Sequence, residues 1–173
     1  MTAQAFDLVA HGRAMRAGGF WLDRTIDEYL VEAIARTPDK AAVIGYRVDR
    51  PTPARLSYAE LGDKVARAAG ALRRLGVGPG DVIAVQLPNW WEFVVVALAG
   101  GRLGAVVNPL MPIFRERELE FMLGFAEARV LIVPREFRGF DYPAMMADLR
   151  SILPALQHVF TVGGSDQIGR AHV

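Results

Sequence analysis

The chain has 173 residues, the length of one ordinary domain, with 52% hydrophobic and 23% charged residues, a balance that excludes a disordered polymer. Its net charge of +1 provides no global field for nucleic acid or anionic lipid, so neither is expected as a partner. The absence of cysteine excludes a disulfide framework, thiolate metal sites and a cysteine nucleophile.

The first residues show no basic region followed by an apolar run and a small-residue cleavage site, so no secretory signal is read there and a cytoplasmic location is expected. Residues 1–20 read as an irregular, partly exposed lead-in. Thr25-Ile-Asp-Glu28 has the form of a capping box and opens a helix in which Ile26, Tyr29, Leu30, Ala33 and Ile34 recur at helical spacing. Pro38 ends it, and residues 41–46 form a short apolar strand. The segment 47–55, with Pro51 and Pro53, suits a hairpin-like loop that lets Arg55-Leu56 pair back onto that strand.

Ser57 and Glu60 form a second capping box. The helix it opens buries a stripe of Leu61, Val65, Ala68, Ala69, Leu72 and Leu75 and turns Asp63, Lys64, Arg67, Arg73 and Arg74 outward. Gly76 is placed to stop it. From there to Pro112 the order is turn, strand, helix, return and strand: one complete β-α-β crossover. Residues 82–87 are apolar at nearly every position, as in a parallel strand buried on both faces. Asn89 is read as the cap of the next helix, with Glu92 three residues on. The most apolar stretch, 93–107, contains Arg102 and is too short to span a bilayer.

An amphipathic helix over 115–126, a strand over 129–133, a helix over 142–153 and a strand over 158–162 complete the alternation, with a turn at Gly163-Gly164. The fold class is therefore α/β, a mainly parallel sheet with helices on both faces. Gln167-Ile-Gly-Arg-Ala-His-Val173 departs from the pattern. It resembles one translated reading frame of a sequencing-library adapter, and it is expected to be an assembly artefact, the natural chain breaking off near Asp166.

Gly76-Val-Gly-Pro-Gly80 invites a phosphate-loop reading, yet it lies before a strand rather than between a strand and a helix, and no Gly-Lys-Ser/Thr follows. Lys40 and Lys64 are the only lysines, Ser57, Ser151 and Ser165 show no nucleophile elbow, and His11, His158 and His172 are isolated, so no triad or metal site is expected. Glu116, Glu118 and Glu120 alternate with arginines as on a solvated helix face. Trp90-Trp91 would line an acyl or aromatic pocket, or serve as core packing. Arg135 and Arg138 lie just after a strand's carboxyl end, where open α/β sheets place ligands. Their forks suit the phosphates of a long cofactor such as coenzyme A; solvated surface arginines are the simpler alternative.

Leu56-Ser-Tyr-Ala-Glu-Leu61 resembles a motif near the start of AMP-forming acyl-CoA synthetases. Gly76-Val-Gly-Pro-Gly-Asp81, Val85-Gln-Leu-Pro-Asn89 and Trp91-Glu-Phe93 resemble the family's next block, and Gly104-Ala-Val-Val-Asn-Pro109 with Pro112 the block after it. The resemblance runs from Trp21 to Gly164. Asn89-Trp-Trp-Glu-Phe93, the segment 108–118 and Phe137-Arg-Gly-Phe-Asp-Tyr142 are most similar to the cyclohexanecarboxylate–CoA and medium-chain acid–CoA ligase branch.

The resemblance implies an enzyme that joins a small-molecule carboxylic acid to ATP with Mg²⁺, releasing pyrophosphate, and then transfers the acyl group to coenzyme A with loss of AMP. The family's threonine/serine/glycine phosphate loop, its ribose-binding aspartate and the lysine of its mobile C-terminal domain have no counterpart in this chain. Residues 21–166 are thus expected to be an incomplete N-terminal α/β subdomain of an adenylate-forming ligase, truncated and inactive by itself. Two alternatives stand beside it: a stand-alone α/β interaction module, and another adenylate-forming branch such as the aryl-acid ligases. Oligomeric state is not legible.

Overall fold

The computed structural model describes residues 7–48 and 50–163. The expected 167–173 tail, with His172, and the expected turn residue Gly164 lie outside them. The lead-in is helical rather than irregular over α1 (Leu8–Ala17). The Asp7 carboxylate accepts from the N–H groups of Val9 at 2.9 Å and Ala10 at 3.0 Å, two donors that a helix start leaves without internal partners.

The Thr25–Glu28 capping box opens α2 (Ile26–Arg36) as expected. Of its stripe only Leu30 is buried; Ala33 and Ile34 are half-buried, and Ile26 and Tyr29 are exposed. β1 (Ala41–Gly45) and β2 (Ala54–Ser57) pair antiparallel, Ala41 opposite Ser57 and Gly45 opposite Ala54. The Ser57–Glu60 box starts α3 (Tyr58–Arg74), which buries Leu61, Val65, Ala69 and Leu72.

The crossover follows as β3 (Val82–Val85), α4 (Trp91–Arg102) and β4 (Val106–Pro109). Then come α5 (Glu116–Phe125), β5 (Val130–Pro134), the two-residue strands β6 (Glu136–Phe137) and β7 (Phe140–Asp141), α6 (Tyr142–Leu149) and β8 (His158–Val162). The helix expected over 142–153 tightens into a 3-10 turn at Arg150–Ile152. β6 and β7 form a hairpin absent from the sequence reading.

Four strands make one parallel sheet in the order β4-β3-β5-β8. Every residue of β5 is buried. Its side chains alternate between two cores: Val130 and Ile132 join Ile83 and Val85 beneath α3 and α4, while Leu131 and Val133 join Ala84 beneath α5 and α6. An apolar run reads without alternation because each face has its own helical cover. Arg102 ties two helices on the first face together, its Nε 2.9 and 3.1 Å from the Asp27 carboxylate oxygens.

The glycine-rich turn is a helix stop. Gly76, at φ 79°, donates to the Arg73 carbonyl while Val77 donates to that of Leu72, the reciprocal pair that closes an α-helix. The Arg129 guanidinium donates to two carbonyls just past the helix end, Gly76 at 2.9 Å and Leu75 at 3.2 Å, and pairs with Asp81 at 3.1 Å. The Gly78 N–H and then Arg129 hold the Asp81 carboxyl below the usual carboxylate range.

α5 ends in the same motif, with Glu127 and Ala128 donating to Gly124 and Leu123, but Glu127 holds the left-handed φ of 48°. A side chain there crowds its own backbone. Glu127→Gly is therefore expected to raise the free energy of unfolding by about 1 kcal/mol, read as a shift in the urea midpoint at unchanged slope.

Candidate ligand-binding cleft

The segments that leave β1, β3, β5 and β8 converge at the carboxyl end of the sheet around an open cleft of about 830 Å³. That is where open α/β sheets gather their ligand-contacting residues. Arg47 comes from the β1–β2 connection, Asn89 and Trp90 follow β3, Arg135 follows β5, Arg138 sits in the β6–β7 turn, and Gly163 follows β8.

Arg135 and Arg138 are thus brought to one wall, both exposed. Arg138 takes φ 54° and Gly139 φ 76°, the positive pair that a two-residue hairpin turn requires. The turn carries the Arg138 guanidinium to 5.3 Å from the Phe137 ring centroid. The two expected tryptophans part company. Trp90 is buried and lines the cleft, its ring edge-on to Phe137 at 6.1 Å. Trp91 is half-buried against the α3–α4 core, its ring 4.8 Å from Lys64 Nζ.

Asn89 is not the cap expected of it. The cap position of α4 is Trp90, which makes no side-chain cap bond, and Asn89 is an exposed residue one step earlier. The shift has a physical cause. Trp90 buries its ring beside Phe137, so the helix begins one residue later and Glu92 falls at its second position rather than its third. At the second position the Glu92 side chain does not reach back to the cap residue and turns inward, its Oε1 4.0 Å from an Arg47 guanidinium nitrogen. Arg47 in turn lies 3.6 Å from the centroid of the Trp90 ring.

Burial pushes the Glu92 carboxyl above its ordinary range, opposed by its own backbone N–H and by Arg47, Arg50 and Lys64. Its Oε2 has no hydrogen-bond partner among the described residues. Sequence reasoning assigned neither Arg47 nor Glu92 to the site. The available signal was a carboxylate set among two tryptophans and a phenylalanine, where a solvated acid is out of place.

Behind the cleft, a buried amide and a buried phenol pin the chain between β4 and α5. Gln86 Nε2 donates to the carbonyls of Met111 at 3.1 Å and Phe114 at 3.0 Å, and the Tyr142 hydroxyl donates to that of Pro112 at 2.7 Å. Burial raises the Tyr142 phenol, which keeps it a donor. Among the described residues no three His, Asp or Glu side chains are grouped to hold a metal ion, and no helix is long and apolar enough to cross a membrane.

A parallel sheet covered on both faces, with an open cleft at the strands' carboxyl ends, defines an open, doubly wound α/β protein. The family model described as AMP-binding enzyme matches residues 30–170, and the chain belongs to that family. It is 41% identical over 148 residues to a salicyl-AMP ligase / salicyl-S-ArCP synthetase of Mycobacterium tuberculosis, covering 86% of this chain and 26% of that one. It is 38% identical to a 2-hydroxy-7-methoxy-5-methyl-1-naphthoate–CoA ligase of Streptomyces carzinostaticus, covering 87% of this chain and 26% of the relative. A medium-chain fatty-acid–CoA ligase of Escherichia coli is 33% identical, with coverages of 86% and 25%. The apo structure of Mycobacterium smegmatis MbtA superposes with a TM-score of 0.76 at 34% identity, covering 91% of this chain and 28% of that one. The chain spans about a quarter of the length of these relatives.

Proposed function

We propose that this chain forms the first part of an ATP-dependent acid–CoA ligase, which activates a carboxylate with ATP and Mg²⁺ and passes the acyl group to coenzyme A. Membership of the AMP-binding family over residues 30–170 is the observation that carries the reading. Because the threonine/serine/glycine phosphate loop is not among these residues, the 173-residue chain alone is expected to show no acid-dependent ATP–pyrophosphate exchange. Nothing in it would position the triphosphate, and positioning with charge stabilisation supplies most of such a rate.

A medium-chain or alicyclic acid is the substrate class suggested by the motifs at 89–93, 108–118 and 137–142. The aryl acids form a second reading, supported by the naphthoate and salicylate in the names of two relatives at 38% and 41% identity. Acid-dependent exchange by the complete enzyme, run with octanoate, cyclohexanecarboxylate and salicylate, separates the two. Exchange with none of the three would remove both.

Within this chain, Arg135 and Arg138 would hold coenzyme A phosphates and Trp90 would wall the adjoining space. Trp91, packed under Lys64, would serve the acid only indirectly. The residues fit such a group: two exposed guanidiniums share one wall with an aromatic ring beneath. Arg138→Asn is the cleanest test, since asparagine tolerates the left-handed turn position and the hairpin survives. In the complete enzyme the Kd for coenzyme A is expected to weaken by about tenfold, the loss of one charge-assisted hydrogen bond. An unchanged Kd rejects the assignment.

A further inference from the structure

Around Arg47 the burial pattern is inverted. Tyr46 is 75% exposed and Val48 fully exposed, while the charged side chain between them is only 10% exposed. The β1–β2 connection therefore sends its apolar residues into water and its guanidinium into the protein. Waiting there are the Trp90 ring face at 3.6 Å and the Glu92 carboxylate at 4.0 Å, itself 9% exposed. A carboxylate is drawn from water at a cost unless a donor or a cation faces it; this one accepts from its own backbone N–H in the first turn of α4, and its Oε2 has no hydrogen-bond partner among the described residues.

We propose that Glu92 is a positioning residue that latches the 46–53 connection onto the rim of the cleft by holding the Arg47 guanidinium against the Trp90 ring. The latch sets the shape of the cleft that Arg135 and Arg138 also line, because Tyr46, Arg47 and Val48 belong to the same lining. It is a clamp in which a planar cation takes a ring on its face and a carboxylate at 4.0 Å.

The latch is sensitive to pH. Among the described residues, the charged groups that act on Glu92 are Arg47 and Arg50 from the connection and Lys64 from α3. Arg47 lowers the Glu92 carboxyl and burial raises it, so the carboxyl, still buried on α4 when Arg47 leaves, binds its proton more tightly in the released state, and acidification favours release. The sign for the whole fold is opposite. The native state binds this proton more tightly than the unfolded chain, so Glu92's contribution to stability falls as pH rises from the ordinary carboxylate range through its raised value. Release of the connection on acidification is therefore a local opening that global destabilisation through Glu92 would not produce.

Hydrogen exchange of the amides of residues 46–50, corrected for intrinsic rates, reads the latch directly in the 173-residue chain. Between about pH 7.5 and about pH 4.5, the lower being the ordinary carboxylate range in which a raised carboxyl is already largely protonated, the protection of this segment is expected to fall severalfold, with the amides of β5 unchanged. Glu92→Gln should show the low protection at both pH values, and Lys64→Met should keep the wild-type fall. Equal wild-type protection at the two pH values overturns the proposal, as does wild-type behaviour in Glu92→Gln. Should that variant fail to fold, Arg47→Gln gives the same reading: low protection at both pH values supports the latch, wild-type protection refutes it. No nucleotide or acid enters the measurement, so its outcome is independent of the ligase reading.

Discussion

Leu131→Ala is expected to lower the free energy of unfolding by about 3 kcal/mol, within the range of 2–5 kcal/mol for leucine truncations in cores. Leu131 sits on an inner strand of the sheet, with no exposure, between Ala84 of β3 and Val159 of β8. Its neighbour Ala84 is too small to reach into the space left behind. Met145 and Met146 of α6, in the same core, are flexible enough to collapse part of the cavity, which argues against the top of the range. Against a total of about 5–15 kcal/mol, such a loss shifts the urea midpoint visibly at constant slope. Val106→Ala, on the edge strand β4 at 54% exposure, is the matched control and should cost no more than about 0.5 kcal/mol. Equal losses at the two sites would contradict a sheet covered on both faces.

What could be read from the residues was whatever is decided locally. The capping boxes at Thr25–Glu28 and Ser57–Glu60 each need two side chains three residues apart, and both form. The unalternating apolar runs of β3 and β5 announced a doubly covered parallel sheet, and Gly76 announced a helix stop. Where a neighbour distant in sequence decides the outcome, the reading slipped. Asn89 was the better local cap, but the ring of Trp90 is placed by Phe137, far along the chain, and the helix start moves with it. In α2 the periodicity named a face, yet the core reaches only Leu30 and the residues nearest it.

The three elements missed were short or exposed. α1 buries only Gly12, so it offered no apolar period to find; its one signal was Asp7 before the helix. β6 and β7 have two residues each, too few for a period of two, although Arg138-Gly139 between two phenylalanines was a hairpin signal in itself. At the cleft, Arg135 and Arg138 were singled out by their place after a strand. Arg47 was not, because its position beside Trp90 depends on how the β1–β2 pair sits against α4.

Gly100 and Gly101 stand side by side in α4 and are indistinguishable in the sequence, yet the same substitution is expected to have opposite effects at the two. A Cβ at Gly100 would lie 2.6 Å from Val107 Cγ2 and 3.3 Å from Ile83 Cδ1. Valine has a single side-chain rotation and is stiff within a strand, so Val107 cannot swing clear without moving β4. Gly100→Leu adds three further carbons to that contact, and the overpacking is expected to cost about 3 kcal/mol even after the gain in helix propensity. At Gly101 a Cβ would meet nothing within 4 Å, and the residue is exposed. Gly101→Leu therefore keeps only the propensity gain and should stabilise the chain by about 0.5–1 kcal/mol. Urea unfolding of the two variants reads the difference directly. A loss at Gly101 or a gain at Gly100 would mean that α4 does not approach β3 and β4 this closely. The close approach is what lets an apolar helix lie flat on the sheet, with Val107 of β4 and Ile83 of β3 directly beneath Gly100.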